Sequence, residues 1–242
     1  MESLPAKFYY SLWKSIDWIF PPSCVNCGKI GLPICPDCKS QIKLIAPPVC
    51  SKCGYPLKEP GLCGSCKKVD FQFDLLRSLA EYSGPIRKII LSNKFNKNIS
   101  NGIELSKLLS PYIDKLVFIL DYKIDLLIPI PLGEERMIER GYNQVGIFAF
   151  PLALKQHVRY SVRALKRIRE TKPQVGLSAY DRRINVRNAF RANHELVLGK
   201  NILLVDDVAT TGATLSSASL ALREGGAKKV VALTCARVIY NR

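Results

Sequence analysis

The stretch Leu203-Leu204-Val205-Asp206-Asp207-Val208-Ala209-Thr210-Thr211-Gly212-Ala213-Thr214 decides the fold. Three apolar residues, Leu203 to Val205, predict a buried parallel strand. Asp206 and Asp207 follow at its carboxyl end, and a short polar loop, Thr210 to Thr214, opens a helix. Leu215, Ala218 and Leu222 fall on one face of that helix, and Gly225-Gly226 gives the stop signal. In open α/β sheets ligands sit outside the carboxyl ends of strands. The loop gathers backbone N–H groups, hydroxyls and the positive end of a helix around one point, which suits a phosphate. The adjacent carboxylates repel a phosphate and suit sugar hydroxyls or Mg²⁺ instead. A phosphate beside a diol outlines a ribose 5-phosphate. The competing reading is an ordinary strand–turn–helix with polar turn residues. Against it, two acids, two Thr, one Gly and a further Thr fall in register.

This arrangement resembles the phosphoribosyl-pyrophosphate (PRPP) motif of type I phosphoribosyltransferases. There the acidic pair holds the ribose 2- and 3-hydroxyls, and the Thr/Gly loop holds the 5-phosphate. Asp206 and Asp207 match the pair, and Thr210, Thr211, Gly212, Ala213 and Thr214 match the loop. The resemblance implies PRPP as ligand and Mg²⁺ with it. Purine-salvage members begin the loop with Asp, a proposed general base. Thr210 stands there and is a poor base at neutral pH, so no catalytic residue is assigned.

Length allows one or two domains. A formal charge of +16 over 242 residues argues for an anionic partner: nucleotide, pyrophosphate or nucleic acid. A solvated basic surface is the plain alternative. The charge is uneven, with eleven Lys or Arg from Lys155 to Arg191 against two acids, Glu170 and Asp181.

Eight of the nine cysteines form Cys-x-x-Cys pairs: Cys24/Cys27, Cys35/Cys38, Cys50/Cys53 and Cys63/Cys66. The first apolar stretch, Phe8 to Phe20, carries Lys14 and Asp17. It is too short and too charged to span a bilayer, and no small-residue cleavage site follows. With no integral membrane segment expected, the cytoplasm is the default, and paired thiols there read as metal ligands. Gly28, Gly54 and Gly64 lie within or just after three pairs, giving the turns that point two sulfurs at one ion. Eight thiolates fit two structural Zn²⁺ sites. Sequential pairing (24/27/35/38 with 50/53/63/66) and crossed pairing (24/27/50/53 with 35/38/63/66) are both open. Sequential pairing closes shorter loops and is favoured. Redox-active dithiols compete, but those use one pair beside a βαβ core. Cys235 lies in an apolar run and is expected to be buried.

Residues 5–20 predict an amphipathic helix with Phe8, Leu12, Ile16 and Ile19 as its stripe, broadened by Tyr9, Trp13, Trp18 and Phe20. Docking on the body is the expected role, with membrane-surface seating as the alternative. A strand is predicted at Leu75–Tyr82, then two helices carrying Ile86, Ile89, Ile90 and Leu105, Leu108, Leu109. Arg87, Lys88, Lys94 and Lys97 leave their polar faces basic. A second strand, Asp125–Ile130, ends in Ile128-Pro129-Ile130-Pro131, and a helix is expected to end near Lys155. The polar segments Arg167–Gln174 and Leu177–Phe190 are long for mere connections and read as a functional loop or hood. Val230–Cys235 reads as a further buried strand.

Four Cys-x-x-Cys pairs precede a domain with Arg140-Gly141-Tyr142-Asn143-Gln144, Arg-x-Arg-x-Thr-x-x-Gln from Arg167, Leu-Ser-x-x-x-Arg-x-x-Asn-Val-x-x-Ala-Phe from Leu177, and Asp-Asp-Val-x-Thr-Thr-Gly-x-Thr from Asp206. From about residue 20 to the C-terminus this combination resembles the ComF family of bacterial competence proteins. After the N-terminal amphipathic helix (1–22) that the periodicity predicts, the resemblance implies a double zinc ribbon (23–70) and an α/β type I phosphoribosyltransferase-like domain with a parallel sheet and flanking helices (71–242). It implies pyrophosphate or hood contacts from Pro131, Arg136, Arg140 and Arg169. It also implies handling of incoming single-stranded DNA in natural transformation, near the inner face of the membrane, with a DNA-uptake helicase as partner. Two functions follow. One is a PRPP-binding protein able to transfer a phosphoribosyl group. The other is a non-catalytic single-stranded DNA-binding module that keeps the fold as scaffold or sensor.

Overall fold

The computed structural model describes residues 4–95, 98–169 and 188–240. In chain order these form α1 (Leu4–Ile19), α2 (Pro36–Lys39), α3 (Gly64–Lys68), β1 (Leu75–Glu81), α4 (Gly84–Phe95), α5 (Ile99–Leu120), β2 (Leu126–Pro129), α6 (Glu134–Arg140), α7 (Gln144–Lys155), β3 (Arg159–Tyr160), β4 (Leu165–Arg167), β5 (Phe190–Ala192), α8 (His194–Val197), β6 (Asn201–Ala209), α9 (Ala213–Glu224) and β7 (Lys229–Arg237).

Side chains alternate across a strand, and a parallel sheet buries both faces. Accordingly Leu203, Val205, Val231 and Leu233 enter one core with Ile86, Ile89, Leu105 and Phe148 of α4, α5 and α7. Ile202, Leu204, Val230 and Ala232 enter the opposite core, closed by Leu215, Ala218 and Leu222 of α9. The five strands pair in the order β1-β7-β6-β2-β3, every pair parallel. The expected parallel sheet with flanking helices is therefore present, and Cys235 is buried as expected. Asn98 starts α5 by accepting the Asn101 N–H at 3.3 Å, and Asn143 starts α7 by accepting the Val145 N–H at 2.9 Å.

β1 is an edge strand, and the chain between the cysteine pairs covers it. Ile45 N donates to Leu79 O at 3.0 Å and Glu81 N donates to Lys43 O at 2.9 Å, with Leu44 antiparallel to Ala80. The opposite edge, β3, is only two residues long.

Three expectations change. First, α1 docks by a different face. The Tyr10 hydroxyl donates to Pro151 O at 2.9 Å, the Tyr9 ring meets Phe150 edge-on at 5.5 Å, and Ser100 Oγ donates to Asp17. Phe8, Leu12, Ile16 and Ile19 are exposed, as are Trp18 and Phe20. The docking surface offers the Pro151 carbonyl and the Phe150 ring, which the hydroxylated rings meet and an aliphatic stripe does not. Second, the motif strand runs on through both aspartates, with Asp206 opposite Thr234. Third, part of the expected hood is regular structure: β4 and β5 pair antiparallel, bringing Leu165 and Phe190 into the α9 core. Lys97, Thr171–Gln174 and the motif from Leu177 through Val186 lie outside the described residues.

Gly102 of α5 lies hard against α7. A Cβ there would stand 2.2 Å from Ile147 Cγ2 and 2.9 Å from Ile147 O. Helix propensity alone favours Ala over Gly, but the close backbone approach outweighs it. Gly102→Ala is expected to destabilise the protein by about 1–3 kcal/mol, read as a lower urea midpoint at unchanged slope.

Candidate functional site

At the carboxyl ends of β2 and β6 lies a cavity of about 330 Å³. Asp206 and Asp207 line one side, with Thr210, Gly212, Ala213 and Thr214 beside them. Pro131, Arg136 and Arg140, from the segment after β2, and Arg167, from β4, also line it, together with Lys94 and Gln144. Of the predicted residues, the structure leaves two out of the cavity lining. Thr211 is used by the turn itself, its Oγ1 accepting the Ala213 N–H at 3.3 Å. Arg169 is exposed beyond the end of β4, and Arg167 occupies the lining instead.

The loop turns through Gly212, whose φ of 81° lies in the left-handed region that favours glycine. The turn starts α9 directly, so the positive end of that helix faces the loop, a setting that suits an anion.

The two acids sit in different surroundings. Asp207 is buried, and its Oδ2 meets both Lys94 Nζ at 3.0 Å and Gln144 Nε2, which donates at 3.2 Å. Burial opposes the charge on Lys94, but Asp207 outweighs it, and the Lys94 pKa is raised. Asp206 Oδ1 accepts the Asp207 N–H at 2.8 Å. Burial first, then the neighbouring Asp207 charge, push the Asp206 carboxyl up to about 7.

The Arg140–Gln144 motif now has a structural account. Gly141 (φ 71°) ends α6 beside Arg140. Tyr142 donates to Asn93 O at 2.9 Å, Asn143 Nδ2 to Ile130 O at 2.9 Å, and Asn93 Nδ2 to Gln144 O at 2.9 Å. The motif thus splints α4, α7 and the end of β2 around Asp207. Sequence reasoning assigned no role to Lys94, Gln144 or Arg167. Gln144 stood within a quoted motif, and Lys94 was placed only on a basic helix face.

The eight paired cysteines gather into two sets, Cys24/27/35/38 and Cys50/53/63/66, with all four sulfurs of each within 4.8 Å of one another. Cys27 and Cys35 sulfurs are 3.7 Å apart, and those of Cys53 and Cys63 are 3.6 Å apart. A tetrahedral site with Zn–S near 2.3 Å places its sulfurs ~3.8 Å apart, so both sets fit zinc closely. Backbone N–H groups of Cys35 and Cys63 point at the sulfurs of Cys24 and Cys50, at 3.5 and 3.3 Å, as charged thiolates require. Four thiolates leave no open position, which marks both as structural sites. The grouping is the sequential one.

The double zinc ribbon domain family matches residues 15–67 and the phosphoribosyl transferase domain family residues 120–239. Competence protein F of Haemophilus influenzae is 33% identical over 221 residues, covering 86% of this chain and 93% of that protein. The chain belongs to the ComF family. Two further relatives of this ComF-family chain are DNA utilization protein YhgH of Escherichia coli K12, 33% identical over 77% of this chain and 83% of that one, and competence protein ComFC of Bacillus subtilis, 28% identical over 80% and 79%. Among solved structures, glutamine PRPP amidotransferase of Bacillus subtilis is similar to 60% of the chain and 30% of its own, at 20% identity and a TM-score of 0.39. That likeness is too distant to bear on the site. No helix among the described residues is long and apolar enough to cross a membrane.

Elemental analysis is expected to find two zinc ions per chain, one for each cysteine set. Cys24→Ser with Cys35→Ser should retain one, and a crossed arrangement, which places those two cysteines in different sites, would instead lose both.

Proposed function

We propose that this ComF-family protein binds PRPP with Mg²⁺ in the cavity at the ends of β2 and β6 and handles single-stranded DNA on its basic surface. One observation carries the first part: an acidic pair, a helix-opening loop and three arginines line the same cavity. Asp206 and Asp207 accept hydrogen bonds from the ribose 2- and 3-hydroxyls. The Gly212 N–H, the positive end of α9 and the Thr210 and Thr214 hydroxyls meet the 5-phosphate. Arg136, Arg140 and Arg167 neutralise the pyrophosphate. Bound Mg²⁺ would add positive charge on the pyrophosphate oxygens. If transfer follows, an acceptor attacks C1 of the ribose as the C1–O bond to pyrophosphate breaks, and the arginines meet the charge that develops on the leaving group. Thr210 cannot take the acceptor's proton at neutral pH, so the reading rests first on binding.

The second part is supported by charge placement. Lys166 and Arg191 stand directly opposite each other on β4 and β5. Like charges in that position destabilise an antiparallel pair, and an anion between them removes the cost. Arg159, Arg163 and Arg169 are exposed on the same part of the chain. Relatives named for competence and for DNA utilization make a nucleic-acid phosphate chain the fitting anion.

Asp206→Asn is expected to weaken Mg·PRPP binding about tenfold to hundredfold by calorimetry, at unchanged zinc content. Undiminished affinity would remove the reading. Asp207→Asn is a less clean test, because it leaves the buried Lys94 without its counter-charge. Affinity should rise as pH increases through about 7, because the Asp206 carboxyl, raised to about 7, must give up its proton to accept two hydroxyl donors. Asp206→Asn should flatten that profile. Single-stranded DNA affinity should fall with salt by about 0.7 log units per log unit for each phosphate neutralised. Lys166→Ala with Arg191→Ala should lower that slope.

A further inference from the structure

The two metal centres sit differently in the fold. Cys24, Cys35 and Cys38 form a small cluster of their own. It is tied to α4 and α5 by Lys88 Nζ donating to Asn26 O at 3.2 Å and by the 3.8 Å Lys39–Glu104 ion pair. Cys50, Cys53 and Cys63 lie inside the core that α9 closes, with Phe71, Phe73 and Leu76.

From this second centre an unbroken line of contacts runs to the phosphate loop. Leu76 N donates to Lys52 O at 2.9 Å, and Arg77 donates to Cys50 O at 3.3 Å and Ser51 O at 3.2 Å. Arg237 of β7, itself buried, donates to Cys53 O and lies 5.4 Å from the Tyr55 ring. A Cβ on Gly54 would stand 2.7 Å from Leu76 O, so the knuckle and β1 touch backbone to backbone. Leu76 and the stacked rings of Phe71 and Phe73, 5.2 Å apart, then form the floor under Gly212. A Cβ on Gly212 would meet all three within 3.7 Å. The segment bearing those rings is clamped to α9: Gln72 N donates to Ser216 Oγ at 3.0 Å, and Arg223 Nε donates to Gln72 O at 2.6 Å.

We propose that the second metal centre, and not the first, sets the shape of the phosphate loop, with Phe71, Phe73 and Leu76 as the positioning residues. Metal at Cys50/53/63/66 fixes the knuckle. The knuckle fixes Leu76 and Phe73, and these hold the Gly212 turn, and with it the start of α9, against the cavity. The first centre is tied to α4 and α5 instead and has no part in this. Phosphate affinity therefore depends on zinc at the second centre. That consequence rests on the PRPP reading above; the coupling itself does not.

Hydrogen exchange on the zinc-loaded full chain tests it without any ligand. Cys50→Ser with Cys53→Ser should raise exchange over residues 211–216 about tenfold or more, while Cys24→Ser with Cys27→Ser leaves it within about twofold. Phe71→Leu keeps every metal ligand and should also raise it. Unchanged protection in Phe71→Leu at full zinc content, or equal loss in both cysteine variants with β7 still protected, overturns the coupling. Should the Cys50/Cys53 variant unfold, seen as lost β7 protection, Phe71→Leu decides alone. Mg·PRPP titration of the same proteins separates the two readings. A parent protein that ignores Mg·PRPP refutes the ligand assignment while the exchange result still stands. A parent that binds it, alongside a folded Cys50/Cys53 variant that binds equally well, refutes the coupling.

Discussion

The contact between Lys94 and Asp207, 3.0 Å long and largely shielded from water, is what the site depends on. Two adjacent carboxylates at a strand end repel each other, and burial makes each costlier. Lys94 answers one of the two charges outright, and Gln144 donates to the same carboxylate oxygen. Asp207 is thereby held in place, while burial and the neighbouring Asp207 charge raise the pKa of Asp206. α4 brings the lysine and α7 brings the glutamine. The seating of those helices on the sheet, through Ile86, Ile89, Phe148 and Leu152, therefore aims the acidic pair.

The cysteine module solves a different problem. Its large apolar side chains are few, and its knuckles turn through Gly28 and Gly54 at positive φ. Such segments hold their shape through metal rather than through a core. Yet the second knuckle is also lodged in the interior of the sheet domain, where Arg77 and Arg237 cap its carbonyls. Metal binding and sheet packing thus stabilise one another at that end, while the first ribbon meets the opposite core through Ile34 and Ile42.

What could be read from the sequence was what is local in the chain. Asp206 to Thr214 fall within nine residues, and the eight cysteines lie in four tight pairs, so spacing alone conveys their chemistry. Lys94 and Gln144 meet Asp207 from 113 and 63 residues away, and no periodicity reports such a meeting. β4 and β5, three residues each, are too short to show alternation against a polar background. α1 was legible as amphipathic, but the pattern could not say that Tyr9 and Tyr10 would serve the body while Phe8 and Leu12 faced out. That choice was made by the Pro151 carbonyl and the Phe150 ring.

The strip at residues 43–45 does more than connect two knuckles. By pairing with Leu79 and Glu81 it occupies the one long open edge of the sheet, the place where another chain's strand would otherwise add on. The strip is anchored by Cys38 before it and Cys50 after it, so each centre secures one of its ends. Zinc starvation would then bare a row of unpaired strand amides on β1. The first symptom of metal loss in the cell would be self-association through that edge, a solubility defect arising before any ligand is met.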